Sequence, residues 1–441
     1  MTNTELSESL RSHARTQLSP SAGDRRLADL VFAAIRLALG NTFYLVGSFA
    51  RLTATRPLHD IDALFVAGQF DPNAINPKAI LEELQSLIQQ KFRNPTHLQT
   101  NVAVQSHSVT IQFLDRGTEK FAVDVVPGFS SEEKNDAGDD IFWVPEILNV
   151  SKPNREERYA QLAKTNRREL DWWIKSDPLG YIAESAHLDQ LNSDFRKATK
   201  IAKAWKNNCR SKDKSFPLKS FHLEQAMFEV FRRNPRCDIG TAVFTLLCNV
   251  PSLIERPQIR DRADQRRFID QYIAELSPAQ RQRIIEARDF AMIKLEQISG
   301  DASIAGILEG GYHQRACKSE EYLFDSRIPI LTQDDARVQV TGTVLRKEGF
   351  RSGPLDRIGH VQPGRQIRFD AKFAGPCEID LFKWKVKNDN RSEQPRGEIT
   401  DHLTRNNPES TKYQGSHFVE CYAIKDNVCI ARGRQNVEIT F

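Results

Sequence analysis

Apolar positions recur along this chain in distinct rhythms. From Asp24, residues Leu27, Leu30, Val31, Ala34, Ile35 and Ala38 keep helical spacing until Gly40-Asn41 ends the run. A short apolar strand over 42–46 follows, then Gly47-Ser48, a polar turn-rich stretch, and a second strand that carries Asp60 and Asp62 ahead of Leu64-Phe65-Val66. An amphipathic helix begins near Pro77, with Ile80, Leu81, Leu84, Leu87 and Ile88 on its apolar stripe. Alternating positions over 96–129 predict strands joined by a turn at Asp115-Arg116-Gly117, the last strand ending in FAVDVVPGF. A hairpin-like piece, IFWVPEILNV, comes next. Residues from about 154 to 308 read as helical, and from about 328 to 441 short β-type runs alternate with Gly, Pro, Asn and Asp, as in an antiparallel sandwich. The expected organisation is a loosely docked leader over 1–22, a mixed α/β core over 23–150, a helical lobe over 151–318 and a β domain over 325–441.

Composition narrows the class without naming it. The chain has 441 residues, enough for two or three domains, with 39% hydrophobic and 27% charged residues. No apolar run approaches the roughly 18 residues of a membrane span, and the polar start lacks the apolar core of a secretory signal. A cytoplasmic protein that does not enter membranes is expected. Seven scattered cysteines show no zinc-type spacing and read as reduced structural thiols. A net charge of +4 implies no strong polyanion-binding field.

The chemistry concentrates between Tyr44 and Val66. Side chains alternate faces along a strand, so Asp60 and Asp62 point the same way, with Ile61 and Ala63 opposite. Two carboxylates on one face repel each other and call for a cation. Hard divalent ions such as Mg2+ take oxygen ligands of this kind, with phosphates completing the sphere. Gly47 lets the backbone approach a phosphate, Ser48 offers a hydroxyl and an amide, and Asp124 is a third acid in an otherwise apolar strand. The pattern reads as a nucleotidyl-transfer site, against a plain polar stripe on an edge strand.

These residues carry a resemblance. GSFARLTATRPLHDIDALFV followed by FAVDVVPGF resembles the bacterial cGAS/DncV-like nucleotidyltransferases (CD-NTases, the SMODS domain), within the DNA polymerase β superfamily. Thr53, Arg56 and the Pro after the third acid are part of the match; Leu52 stands where that family usually has a small residue or Gly. FRKATKIAKAWK and PLKSFHLE resemble the family's helical-lobe motifs, which implies Lys203 and Ser220 as phosphate contacts and Phe221 as a base-stacking ring. The tail resembles the AGS-C domain through LFKWKVKN, PRGEIT and ESTKYQGSHFVECYAIKDNVCIAR, with Trp384, Arg396, Gly397, Tyr413, Gly415 and His417 most distinctive.

The resemblance implies a polymerase-β-like nucleotidyltransferase core with a helical lobe and a C-terminal all-β domain. It implies Mg2+ or Mn2+ held by Asp60, Asp62 and Asp124, nucleoside triphosphates including ATP as substrates, and a cyclic di- or oligonucleotide product in antiphage defence of the CBASS type. A separately encoded effector would respond to that product. No His/Cys cluster like the zinc-binding thumb of the metazoan DNA sensor occurs, so activation by duplex DNA is not expected. Two other readings stay open from the residues: synthesis or extension of linear oligonucleotides, and a nucleotide sensor with a weakened transferase half.

Overall fold

The computed structural model describes residues 3–40, 42–69, 76–105, 107–145, 173–297, 304–347, 351–401 and 408–440. Helix α1 (Asn3–His13) opens the chain, and α2 (Ala22–Leu39) follows with a reciprocal Ser21/Asp24 capping box at its start. Strand β1 (Phe43–Val46) runs into a single helical turn, α3 (Gly47–Ala50), and β2 (Asp60–Gln69) returns antiparallel to β1. Helix α4 (Pro77–Lys91) has Asn76 as its N-cap and Pro77 in the first turn. Strands β3 (Gln99–Val104), β4 (Val109–Asp115) and β5 (Thr118–Lys134) complete the main sheet in the order β1-β2-β5-β4-β3. The β4–β5 turn has positive φ at both Arg116 (50°) and Gly117 (79°), the conformation a two-residue hairpin needs.

Each strand of this sheet divides its faces. Ile61, Ala63, Val123 and Val125 pack with Val31, Ile35, Leu81 and Leu84 of α2 and α4 in one apolar core. Asp60, Asp62 and Asp124 are thereby left on the other face, which is open toward the helical lobe.

That lobe is built from α5 (Pro178–Leu191), α6 (Phe195–Lys212), α7 (Ser220–Arg233), α8 (Ile239–Leu253) and α9 (Pro278–Gln297) around Phe195, Phe228, Phe231 and Leu246. Of the expected helix from 154, residues 154–172 lie outside the described residues; beyond them Trp173–Ser176 is a strand, β7, paired with β6 (Asp140–Pro145). Trp173 makes an edge contact with Phe129 there, so tertiary pairing overrides local helix pattern. Arg262 ties the α/β core to the lobe through Asp139 at 2.6 Å, Asp177 at 2.9 Å and Glu184 at 2.6 Å.

The C-terminal domain is a two-sheet sandwich. Strands β8 (Arg337–Val344), β9 (Gly353–Pro354), β11 (Gln366–Ala374) and β14 (Glu409–Ser410) form one sheet. The other contains β10 (His360–Val361), β12 (Leu381–Lys387), β13 (Ile399–Thr400), β15 (Gly415–Lys425) and β16 (Val428–Ile439). Its pairing is antiparallel except for the short β10–β16 contact, which is parallel. Val340, Phe369, Trp384, Val419 and Ala431 fill the space between the sheets. No helix among the described residues is long and apolar enough to cross a membrane.

The leader is not loose. Leu6, Leu10 and Ala14 are buried in the core of the helical lobe. Arg11 grips Asp194 bidentately, at 2.9 and 2.7 Å, and Asn3 and Ser7 donate to Asp238 at 2.7 and 2.8 Å. The segment then crosses to the α/β core: Arg56 donates its backbone N–H to the Leu18 carbonyl and its Nε to the Ser19 carbonyl. Its Ser- and Thr-rich composition hides three apolar residues at helical spacing, and their burial decides the matter. Leu10 is fully buried, so Leu10→Ala is expected to cost about 2–5 kcal/mol in a denaturant titration of the whole chain. An unchanged midpoint would show that α1 does not dock.

Candidate active site

The parallel register of β2 and β5 sets Asp62 directly beside Asp124, and the antiparallel register of β1 sets Val46 on Asp62's other side. Asp60 lies two residues earlier on the same face of β2 and is the most exposed of the three acids. Thr110 on β4 pairs with Asp124 in the ladder and donates its hydroxyl to the Asp124 carboxylate, as does Ser108. One acid thus comes from the strand after the Gly-Ser turn, its neighbour two residues back, and the third from the adjacent strand.

Gly47 is required twice over. Its φ is +67°, and a Cβ there would lie 1.8 Å from Asp62 Oδ2. The Asp62 carboxylate therefore rests against the backbone of the turn. Ser48 holds the turn closed by accepting at its carbonyl from the N–H groups of Thr53 (2.9 Å) and Ala54 (3.0 Å). The first N–H groups of any helix lack intrahelical partners, so the Gly47-Ser48 turn presents donors beside the acids. Leu52 has φ of 59° and is exposed, a backbone state that favours the glycine or small residue expected at that position.

All three acids are held above the usual carboxylate range. Asp62 is pushed up to about 6, by burial first and the neighbouring Asp124 charge second, with Arg51 and Lys203 pulling the other way. Burial and then Asp124 raise Asp60; burial raises Asp124 against the hydroxyls of Thr110 and Ser108. Among the described residues, no three His, Cys, Asp or Glu side chains gather closely enough to hold a metal ion by themselves. The donor set nonetheless fits Mg2+ or Mn2+ bound jointly with a substrate, because Mg2+ takes one or two carboxylates and completes its sphere with phosphates and water. Mutual repulsion among the three carboxylates is the feature a cation would relieve.

The opposite wall departs from expectation at Lys203. This lysine is 4% exposed, and its ammonium is spent on Glu224 at 2.5 Å and on the Thr53 carbonyl and hydroxyl at 3.2 and 3.0 Å. Glu224 also accepts from Arg51 Nε at 2.6 Å and from the Thr53 hydroxyl at 3.0 Å. Burial opposes the charge on Glu224, yet Lys203 and Arg51 bring its carboxyl down to about 2. The ammonium of Lys203 is thus already paired in this structure.

Lys206, one turn further along α6, is also buried, at 6% exposed, but is bonded differently. Its Nζ lies 3.1 Å from Ser220 Oγ and 3.1 Å from Asn207 Oδ1, and among the described residues no carboxylate pairs with it. Burial, aided by Arg210 and Lys203, lowers its pKa to about 8. Ser220, the first residue of α7, is thereby brought to the ammonium of Lys206. Phe221 is half-buried with its edge against Tyr181 and the Arg51 guanidinium 5.3 Å from its ring centre, so part of its face is already occupied. The lysines of FRKATKIAKAWK at 200, 203 and 206 share one helical face, and spacing alone did not separate them. Nothing in the sequence links Arg51 to Glu224, which lies 173 residues away.

Residues 318–440 match the family model described as the Adenylyl/Guanylyl and SMODS C-terminal sensor domain. A search of curated proteins gave no significant match. Among solved structures, the chain is similar to E. coli MS115-1 CdnC with ATP and to the same protein in its HORMA-deltaN complex. Both have a TM-score of 0.48 and 15% identity over 70% of this chain and 98% of that one. It is also similar to the Elizabethkingia meningoseptica CdnE cyclic dinucleotide synthase with GTP and Apcpp, with a TM-score of 0.40 and 13% identity over 56% of this chain and 84% of that one.

Three substitutions test the electrostatics. The Asp62 carboxyl titrates at about 6 in the fold and at the ordinary 3.8 when unfolded, so its charge opposes folding above pH 6 and not below about pH 4. Without divalent metal, Asp62→Asn is expected to stabilise the protein by on the order of 2 kcal/mol at pH 7.5, the gain fading by pH 4, as read from melting curves. Lys203→Met is expected to cost about 3–5 kcal/mol by breaking a buried ion pair, whereas Lys206→Met is expected to leave the melting temperature within a few degrees of the parent.

The chain thus joins an α/β sheet bearing three neighbouring acids and a helical lobe to a C-terminal β domain that matches the Adenylyl/Guanylyl and SMODS C-terminal sensor model over residues 318–440.

Proposed function

We propose that this protein is a cytoplasmic nucleotidyltransferase that joins nucleoside triphosphates into a cyclic di- or oligonucleotide second messenger. The observation that carries this reading is the placement of Asp60, Asp62 and Asp124 on neighbouring parallel strands, facing one cleft beside the Gly47-Ser48 turn. In the reaction, an acceptor ribose hydroxyl attacks the α-phosphorus of a triphosphate, a new P–O bond forms, and the bond to the β-phosphate oxygen breaks with release of pyrophosphate. Mg2+ or Mn2+ bound by the three acids would neutralise charge on the triphosphate and acidify the attacking hydroxyl.

The chain's own residues divide the remaining work. Asp60 and Asp62 orient the triphosphate end of the donor, with Gly47 and Ser48 supplying N–H and hydroxyl donors to its phosphate oxygens. Asp124 faces the acceptor hydroxyl and takes up its proton, a role helped by a carboxyl held above the usual range. Lys206 and Ser220 bind phosphate from the helical wall, and Phe221 borders the base. The signalling role, including antiphage defence of the CBASS type with a separately encoded effector, is supported by the sensor-family domain at the C-terminus.

Purified protein incubated with labelled ATP, GTP, CTP and UTP and Mg2+ or Mn2+ is expected to yield pyrophosphate and phosphatase-resistant products visible by mass spectrometry. Products that phosphatase degrades would point to linear synthesis instead. Asp60→Ala combined with Asp62→Ala, or excess EDTA, is expected to abolish turnover. Lys206→Met is expected to raise KM for triphosphate by at least about tenfold, as loss of one charge-assisted contact implies; parental turnover in the double-acid variant would sink the assignment.

A further inference from the structure

The C-terminal sandwich is open at one end, where a cavity of about 210 Å3 lies between its two sheets. Ile367 and Phe369 of β11 form one wall, and Val437 and Ile439 of β16 form the other. Facing sheets in a sandwich lie about 10 Å apart, so the space is a flat apolar slot. Its mouth is polar, lined by Arg396, Lys412, Tyr413 and His417.

His417 is the unusual group. Strand alternation places it on the same inward face as Val419 and Cys421, which are core residues, and His417 itself is only 8% exposed. The backbone N–H of Asp389 donates to its Nδ1 at 3.2 Å. With Nδ1 accepting, the neutral imidazole carries its proton on Nε2. Among the described residues, that buried Nε2 has no hydrogen-bond partner. The arrangement is held from outside: Asp389 accepts from the N–H groups of Arg391 (2.9 Å) and Ser416 (3.2 Å), and Gly415 has φ of +125° with Asp389 packed where a side chain would stand. A core position has thus been given to a fixed donor without an acceptor, on a residue that lines a cavity.

The other mouth residues are committed to each other. Tyr413 donates its hydroxyl to Gln394 Oε1 at 2.7 Å, and Arg396 pairs with Glu398 at 3.2 Å and Glu409 at 3.0 Å. Lys412 is exposed, with its ammonium 5.1 Å from the Tyr413 ring centre. Among the described residues the site therefore offers apolar walls, one buried donor and one exposed lysine at the entrance, and little that would hold a multiply charged anion inside.

We propose that this cavity binds one nucleobase-bearing ligand, a nucleoside or mononucleotide. The base occupies the slot and places a carbonyl oxygen or ring nitrogen on His417 Nε2–H, and the sugar and any phosphate lie at the mouth near Lys412. The volume is below the roughly 300–1,000 Å3 of pockets for drug-sized ligands, so it takes one base and not a whole cyclic dinucleotide. The choice of a nucleobase among planar heteroaromatics rests on the proposed nucleotidyl-transfer function.

Calorimetry on the full chain separates the two ideas. Adenosine, guanosine, cytidine, uridine and their monophosphates are titrated without divalent metal, beside inorganic phosphate, into the parent, into Asp60→Ala with Asp62→Ala, and into His417→Phe. At least one nucleoside is expected to bind the first two equally and His417→Phe at least tenfold more weakly, with no binding of phosphate alone. That result sustains the cavity whatever the transfer assay gives. Absence of binding by all eight compounds, or binding lost in the acid variant and kept in His417→Phe, overturns it. Should His417→Phe fail to fold, photo-crosslinking of the parent with azido-adenosine decides: adducts within 386–419 are expected, and adducts confined to 44–66 or 195–233 overturn the proposal.

Discussion

Glu224 accepts, in one fully buried carboxylate, the guanidinium of Arg51, the ammonium of Lys203 and the hydroxyl of Thr53. Arg51 and Thr53 belong to the turn that follows Gly47-Ser48, whereas Lys203 and Glu224 belong to α6 and α7 of the helical lobe. An isolated buried charge is costly, and each member of this cluster is tolerable only with the others in place. The cluster therefore sets the position of the Gly47-Ser48 turn, and of Asp62 beside it, against the helical wall.

The same cluster shapes the charge of the site. Two cations against one carboxylate leave a net positive neighbour for Asp62, which offsets part of the repulsion from Asp124 and Asp60. Gly47 completes the arrangement by clearing the space that Asp62 occupies. Acid placement, turn conformation and lobe contact are consequently one problem, since a shift in any of the three moves Asp62.

The helical lobe also anchors both ends of the chain. The N-terminal helix is built into its core, then passes by way of Ser19, which meets Arg56 and Lys200, to the α/β core. On the other side Arg315 joins Asp289 of α9 to Asp325, and Lys385 and Lys387 of the sandwich reach the Glu321 carbonyl and Glu320. The C-terminal cavity lies on a domain pinned to the lobe that forms one wall of the cleft.

Local pattern made much of this readable from residues alone. Period-two alternation put Asp60 and Asp62 on one face because the pleat leaves no other choice, and the Arg116-Gly117 hairpin and the β tail announced themselves through turn chemistry and spacing. What the sequence could not decide is which polar groups meet across distance. Leu6, Leu10 and Ala14 looked like part of a polar leader until their burial partners were known, and Trp173–Ser176 took strand form only because β6 lay open to pair with it. Lysines at 203 and 206 are equivalent by composition and helical face; the carboxylate of Glu224, brought in from the next helix, pairs with the first, while the second meets Ser220 instead. Strand periodicity is a local property and is written in the chain, whereas the pairing of buried charges is settled only when separate elements pack.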